Sequence, residues 1–110
     1  MSSCFTISHK DKNTNARIGI LKTKSGKAET PFFMPVATRG VTKGLTTQEI
    51  EKMKAQAVIS NAFILYLRDG SEIIKKFGGI GKFMNFKGIN FTDCGGFQMY
   101  SKRIYIKSTN

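Results

Sequence analysis

The hydrophobic pattern of this chain changes period near its middle. Residues 3–8 alternate weakly and read as a short strand, and the polar stretch 9–15 reads as a turn. Alternation returns over 16–24, where Ile18, Ile20 and Lys22 oppose Arg17, Gly19 and Leu21. Ser25-Gly26-Lys27 suits a hairpin turn, and 28–33 read as the returning strand, ending at Pro35. Residues 38–44 form a loop of small residues carrying Arg39 and Lys43. A helical period then begins. Thr46 stands as N-cap with Glu49 three residues on, the signature of a capping box, and Ile50, Met53 and Ala57 follow at helical spacing.

Val58-Ile59 opens a short buried strand that ends near Ser60-Asn61. The apolar run 62–68 suits either an extension of that strand or a short helix. A second helix opens at 69–72, with Ile73, Ile74 and Phe77 turned inward, and Gly78-Gly79 stops it. Residues 83–87 read as a connection, 88–92 as a second buried strand, and 103–107 alternate once more. Helix, strand, helix, strand is the rhythm of an α/β fold with parallel strands. Two such strands close no sheet, so the pattern looks unfinished. No linker or internal repeat divides it, so residues 1–110 read as one partial domain.

Charge narrows the partner. Lys and Arg exceed Asp and Glu by 18 to 7, a net charge of +11. Residues 1–55 carry +6 and residues 56–110 carry +5, so the excess is no basic tail on a neutral body. Lys and Arg gain affinity by releasing counterions from phosphates, which makes a nucleic acid the leading partner. The plain alternative is a soluble domain from a lysine-rich proteome. A membrane surface ranks third, because no lysine-rich helix has a broad apolar face. No apolar run approaches the ~18 residues of a bilayer span, and residues 1–10 lack the apolar segment of a secretory signal. Cys4 and Cys94 lie far apart and suit reduced thiols in a cytoplasm. Neither has a second Cys or His at ligand spacing, so no complete zinc site is expected here. His9 stands in a polar stretch and reads as solvated.

Six carboxylates have structural explanations. Asp11 lies in a turn, Glu29 precedes Thr30-Pro31, and Glu49 completes the capping box. Glu51 falls on the outer helix face, and Asp69 and Glu72 sit at a helix N-terminus. Asp93 differs. It ends an apolar strand and precedes Cys94-Gly95-Gly96, the place where α/β folds put ligands. The glycines allow close approach, Phe97 offers a stacking face, and Gln98 offers an amide. Together these suit a flat heterocycle. On spacing alone the other reading stays open, that Asp93 only caps its turn. Gly78-Gly79-Ile80-Gly81-Lys82-Phe83 fails as a phosphate loop, since Phe83 stands where Ser or Thr is needed and no strand leads in. Cys94 has no visible base to make it a nucleophile.

Three stretches carry a family resemblance: ARIGILKTKSGKAETP (16–31), MPVATRGVTKGLT (34–46) and SNAFILYLRDGSEIIKKFGGIGKFMNFKGINFTDCGGFQMYS (60–101). In order and spacing they resemble the N-terminal part of the tRNA-guanine transglycosylases, the queuine and archaeosine tRNA-ribosyltransferases. The resemblance implies an N-terminal antiparallel element over 1–35. Over 36–110 it implies the first βα units of an incomplete TIM-type (β/α)8 barrel. It implies exchange of a guanine in tRNA for a 7-deazaguanine base through two carboxylates, one forming a covalent bond to ribose and one moving protons on the base. That is the logic of a retaining glycosidase. Asp93 matches the proton-handling aspartate and Phe97 the aromatic that stacks on the base. Gly96 and Gln98 match their surroundings, and Val41 and Asn61 match positions at the pocket wall and ribose. Arg39 and Lys43 are the expected RNA contacts.

The chain also departs from the family. Cys94 stands where Ser is usual, Asp69 where many members have Pro, and Gly81 where many have His. Phe83-Met84-Asn85 and Phe97-Gln98-Met99-Tyr100 look closer to archaeal-type members. No segment matches the second carboxylate or the Cys/His zinc ligands, which belong to later parts of the family chain. A barrel of this kind takes about 250 residues. The expectation is therefore a chain inactive alone, with tRNA and a second chain completing the barrel as partners, no cofactor of its own and no membrane. The alternatives are a small basic RNA-binding module without chemistry, or a non-functional remnant.

Overall fold

The computed structural model describes residues 4–67 and 70–100. Three strands, β1 (Phe5–Lys10), β2 (Arg17–Thr23) and β3 (Gly26–Thr30), form an antiparallel sheet in that order. Phe5, Leu21 and Ala28 stand opposite one another across it. Ala28 is buried and Leu21 packs beside it, so this row faces the core. The alternation expected here is given its sense by the structure: Gly19 and Leu21 turn inward, and Ile18 is exposed. The cause lies at Gly19, which has no side chain and accommodates the Phe5 ring closely. The turn expected over 9–15 is shorter. β1 continues through a bulge to Lys10, and Asp11 then closes the turn by accepting from the Asn13 and Thr14 amides and the Thr14 hydroxyl.

The chain then crosses to a parallel layer. α1 (Thr47–Lys52) starts at the expected capping box, with the Glu49 amide donating to Thr46 and the Glu49 carboxylate accepting from the Thr46 amide. It is shorter than the period suggested. Met53 is exposed and Ala57 belongs to the next strand, because Lys54 turns to a positive φ of 58° and breaks the helix. β4 (Ala57–Asn61) and β5 (Ile89–Asp93) pair in parallel, as the sequence rhythm implied. Residues 35–38 flank β4 on its other side. Ala37 donates to the Ile59 carbonyl at 2.7 Å and Ile59 donates to the Pro35 carbonyl at 3.1 Å.

β4 is thus a central strand buried on both faces, as parallel strands are. Val58 packs with Ala37, Ile50, Met84 and Phe86 under α1. Ala57 packs with Ala28 and Ile89, against the antiparallel sheet. Gln56 ties the two layers. Its side-chain amide accepts from the Glu29 amide at 2.7 Å and donates to the Glu29 carbonyl at 3.1 Å.

Between β4 and β5 run three short helices, α2 (Ala62–Tyr66), α3 (Gly70–Lys76) and α4 (Ile80–Met84). The run after β4 is therefore helical rather than a longer strand. Asn61 decides this by accepting from the Ile64 amide at 2.9 Å as N-cap. α3 stops before Gly78, as expected, but Ile73 and Phe77 are largely exposed rather than inward. Phe77 meets the Phe83 ring edge to face, with centroids 5.5 Å apart. α4 replaces part of the connection read over 83–87, and α5 (Gly96–Tyr100) follows β5. The strand read over 103–107 lies outside the described residues.

Candidate functional site at the ends of the parallel strands

Register places the candidate residues. Asn61 and Asp93 are the last residues of β4 and β5 and stand directly opposite each other. The Asn61 amide donates to the Thr38 carbonyl at 3.3 Å, so the end of the 35–38 segment is level with both. Two C-terminal strand ends, Asn61 and Asp93, therefore meet the end of the flanking segment, Thr38, in one line. Ligands in parallel α/β folds bind at this end. The loop carrying Arg39, Val41 and Lys43 leaves from Thr38, and all three residues are exposed.

Asp93 combines both roles left open by its spacing. Its Oδ1 accepts from the Gly95 amide at 3.1 Å, so it shapes its own turn. Its other carboxylate oxygen has no partner among the described residues and the side chain is exposed. One oxygen fixes the orientation and the other is free for a ligand. Gly95 explains the tightness of the turn. Its φ is +67°, and a Cβ there would lie 2.6 Å from the Phe63 Cβ and 2.7 Å from Asn61 Oδ1. Only glycine lets α5 start this close to β4.

Phe97 is 86% exposed, with a ring face open to solvent. Gln98 and Gly96 are half-buried beside it on α5. Asn61 is a different case. It is buried and its Oδ1 is committed to the cap of α2, so its first role here is structural. Cys94 is exposed and carries a free thiol. The fold therefore gathers Asp93, Cys94, Gly96, Phe97 and Gln98 on one turn, with Asn61 beneath it. Lys43 looks elsewhere. It borders a groove of about 610 Å³ lined by Phe33, Val36, Leu45 and Met53, which includes none of the Asp93 turn. The Thr38 carbonyl was missed as a site-forming position. Gly95 was read as allowing close approach, and the structure adds that its approach is to Asn61 and Phe63.

Among the described residues no group of three or more His, Cys, Asp or Glu is placed to hold a metal ion. Cys4, His9 and Cys94 belong to no such group. No described helix is long and apolar enough to cross a membrane.

Comparison with known proteins matches residues 11–109 to the family model described as queuine tRNA-ribosyltransferase. The chain is 48% identical over 101 residues to the queuine tRNA-ribosyltransferase of Halothermothrix orenii, covering 92% of this chain and 27% of that protein. It is 45% identical over 101 residues to that of Pelotomaculum thermopropionicum, with the same coverage. With that of Thermoanaerobacter pseudethanolicus it shares 47% identity over 97 residues, 88% of this chain and 26% of the relative. The chain spans about a quarter of the length of these curated relatives.

Proposed function

The chain belongs to the queuine tRNA-ribosyltransferase family, and from that premise we propose that it forms the N-terminal part of a tRNA-guanine transglycosylase. The activity is exchange of a guanine in tRNA for a 7-deazaguanine base. The observation that carries this reading is the Asp93 turn: a carboxylate oxygen without a partner among the described residues, level with Asn61, beside the exposed Phe97. In the reaction Asp93 gives a proton to the departing base and takes one from the arriving base. Phe97 stacks on the flat heterocycle and Gln98 hydrogen-bonds its edge. Gly96 lets the base approach the backbone, Val41 borders the pocket, and Asn61 supports the ribose side. Cys94, where the family has Ser, is a weaker donor and contributes contact rather than a strong hydrogen bond. Arg39 and Lys43 meet tRNA phosphates.

The carboxylate that bonds to ribose has no counterpart among these 110 residues, so the chain alone turns over no tRNA. The antiparallel sheet and the parallel strands are the opening of a TIM-type barrel, which a second chain or a longer polypeptide completes. The test is a chimera in which residues 11–109 replace the corresponding quarter of the Halothermothrix orenii relative. Incorporation of labelled guanine into tRNA is measured for the isolated chain, the chimera and the chimera with Asp93→Asn. The chimera should be active. Asp93→Asn should lower turnover by about 100-fold or more, the usual worth of a general acid–base group, with little change in tRNA affinity. Robust incorporation by the isolated chain sinks the claim of inactivity. Full activity of the Asp93→Asn chimera sinks the role of Asp93.

A further inference from the structure

The antiparallel sheet carries like charges in direct opposition at both of its ends. Lys22 stands opposite Lys27 at the tip of the β2–β3 hairpin, and Lys24 lies in the turn between them. At the other end Lys10 stands opposite Arg17. All five side chains are exposed, and no carboxylate among the described residues pairs with Lys22, Lys24 or Lys27. Like charges directly opposite destabilise a sheet. The hairpin's own stability therefore does not account for Lys22 and Lys27.

The face is also open. Leu21 and Ala28 turn the other side of the hairpin toward Ala57 and Ile89, so Lys22 and Lys27 project away from the core. Glu29 is the nearest carboxylate on that face by register, opposite Ile20 and diagonal to Lys22. One acid among three lysines leaves the tip cationic. A membrane surface would need an apolar stripe beside the charges. Here the same face carries Ile20 and the exposed Ile18, set between Thr6, Glu29 and His9, which make no broad apolar stripe.

We propose that the Lys22–Lys24–Lys27 hairpin tip is a contact for the phosphate backbone of RNA, separate from the loop that holds Arg39 and Lys43. This rests on the reading of the chain as part of a tRNA-modifying enzyme. The hairpin packs against Ala57 and Ile89, the first residues of β4 and β5, while Asp93 ends β5. At about 3.3 Å per residue a five-residue strand spans only about 13 Å between its first and last Cα. The residues on which the hairpin packs are thus separated from Asp93 by less than the width of a folded RNA. Phosphates screen the lysines from one another, so binding relieves the repulsion that the free hairpin carries.

The test is a titration of the 110-residue chain with a tRNA transcript between 50 and 200 mM KCl. Wild type is compared with Lys22→Gln/Lys24→Gln/Lys27→Gln. A control, Lys75→Gln/Lys76→Gln/Lys87→Gln, removes equal charge elsewhere, and Arg39→Gln/Lys43→Gln removes the loop contact. The hairpin variant should lose affinity on the order of 10- to 100-fold near 0.1 M salt, and its salt slope should flatten by roughly two units. The control should change far less. A hairpin variant no weaker than the control overturns the proposal while leaving the tRNA reading intact. Absence of tRNA binding by the wild type overturns both. Loss of binding to anionic vesicles with tRNA affinity unchanged would assign the tip to lipid and overturn the proposal. Lys27→Glu places opposite charges at that pair. It should raise the Tm and weaken tRNA binding, and a variant with raised Tm and unchanged tRNA affinity also overturns it.

Discussion

Gly95→Ala isolates the packing that holds the Asp93 turn against β4. At φ +67° a side chain costs about 1–2 kcal/mol through its clash with the backbone. The added Cβ would also lie 2.6 Å from the Phe63 Cβ and 2.7 Å from Asn61 Oδ1, well inside contact distance. Overpacking of this kind costs about 1–3 kcal/mol more. Gly44→Ala is the internal control. Its φ is +78° and nothing lies within 4 Å of the new Cβ, so only the backbone cost applies. With a urea m-value of about 2 kcal/mol/M, Gly44→Ala should lower the unfolding midpoint by about 0.5–1 M and Gly95→Ala by about 1–2.5 M. Circular dichroism against urea measures both. Amide exchange adds a local readout. Displacing Asn61 loosens the cap of α2, so the Ile64 amide should exchange faster in Gly95→Ala and not in Gly44→Ala. Equal midpoints for the two variants, with an unaltered Ile64 amide, would refute the packing argument.

Thr46→Ala should cost about 1 kcal/mol by removing the hydroxyl that caps α1, read as a lower urea midpoint. The same cap governs the acid limb. The Glu49 carboxylate is held below its ordinary range first by the Thr46 amide and then by its hydroxyl, and Asp11 is held down first by the Thr14 hydroxyl. Depressed folded pKa values mean that this stability is present above the ordinary values of 4.5 and 3.8 and disappears as pH falls through the folded ones. A Tm scan should decline below about pH 4.5, and Thr46→Ala should flatten that decline. Val58→Ala, at a fully buried site between α1 and the sheet, should cost about 2 kcal/mol, whereas Val36→Ala at a 60% exposed site should cost under about 0.5. Gln56→Ala removes both hydrogen bonds to the Glu29 backbone and should cost about 1–2 kcal/mol, with faster exchange of the Glu29 amide.

Local chemistry was the readable part of the fold. The capping box at Thr46 and Glu49 announces its helix because the signal lies within four residues. The parallel pairing of β4 and β5 follows from two short apolar runs separated by helical sequence. What the sequence concealed depends on contacts between distant residues. Which face of β2 is inward is set by Phe5 lying over Gly19, a pair fourteen positions apart. The end of α1 is set by the backbone at Lys54, whose side chain gives no glycine-like signal. The site was legible in part for the same reason. Asp93-Cys94-Gly95-Gly96-Phe97-Gln98 is contiguous and visible, while its alignment with Asn61 and Thr38 appears only once the ladder is formed.

That ladder also separates residues that build the site from residues available to a ligand. Asn61 is buried and caps a helix, and Gly95 is buried against it, so substitutions at either first disturb structure. Asp93 and Phe97 are exposed and contribute little burial. A carboxylate oxygen with no partner among the described residues and a ring 86% exposed add nothing to stability that smaller residues would not supply. Exposed apolar rings are themselves a mild liability in a free chain. On the proposed function, their placement at a strand end that the backbone holds level with its neighbours serves the base that binds there. Asp93→Asn, which keeps an oxygen to accept from the Gly95 amide, and changes at Phe97 should accordingly leave unfolding midpoints nearly unmoved while altering base exchange in the chimera. Changes at Asn61 and Gly95 should move both together.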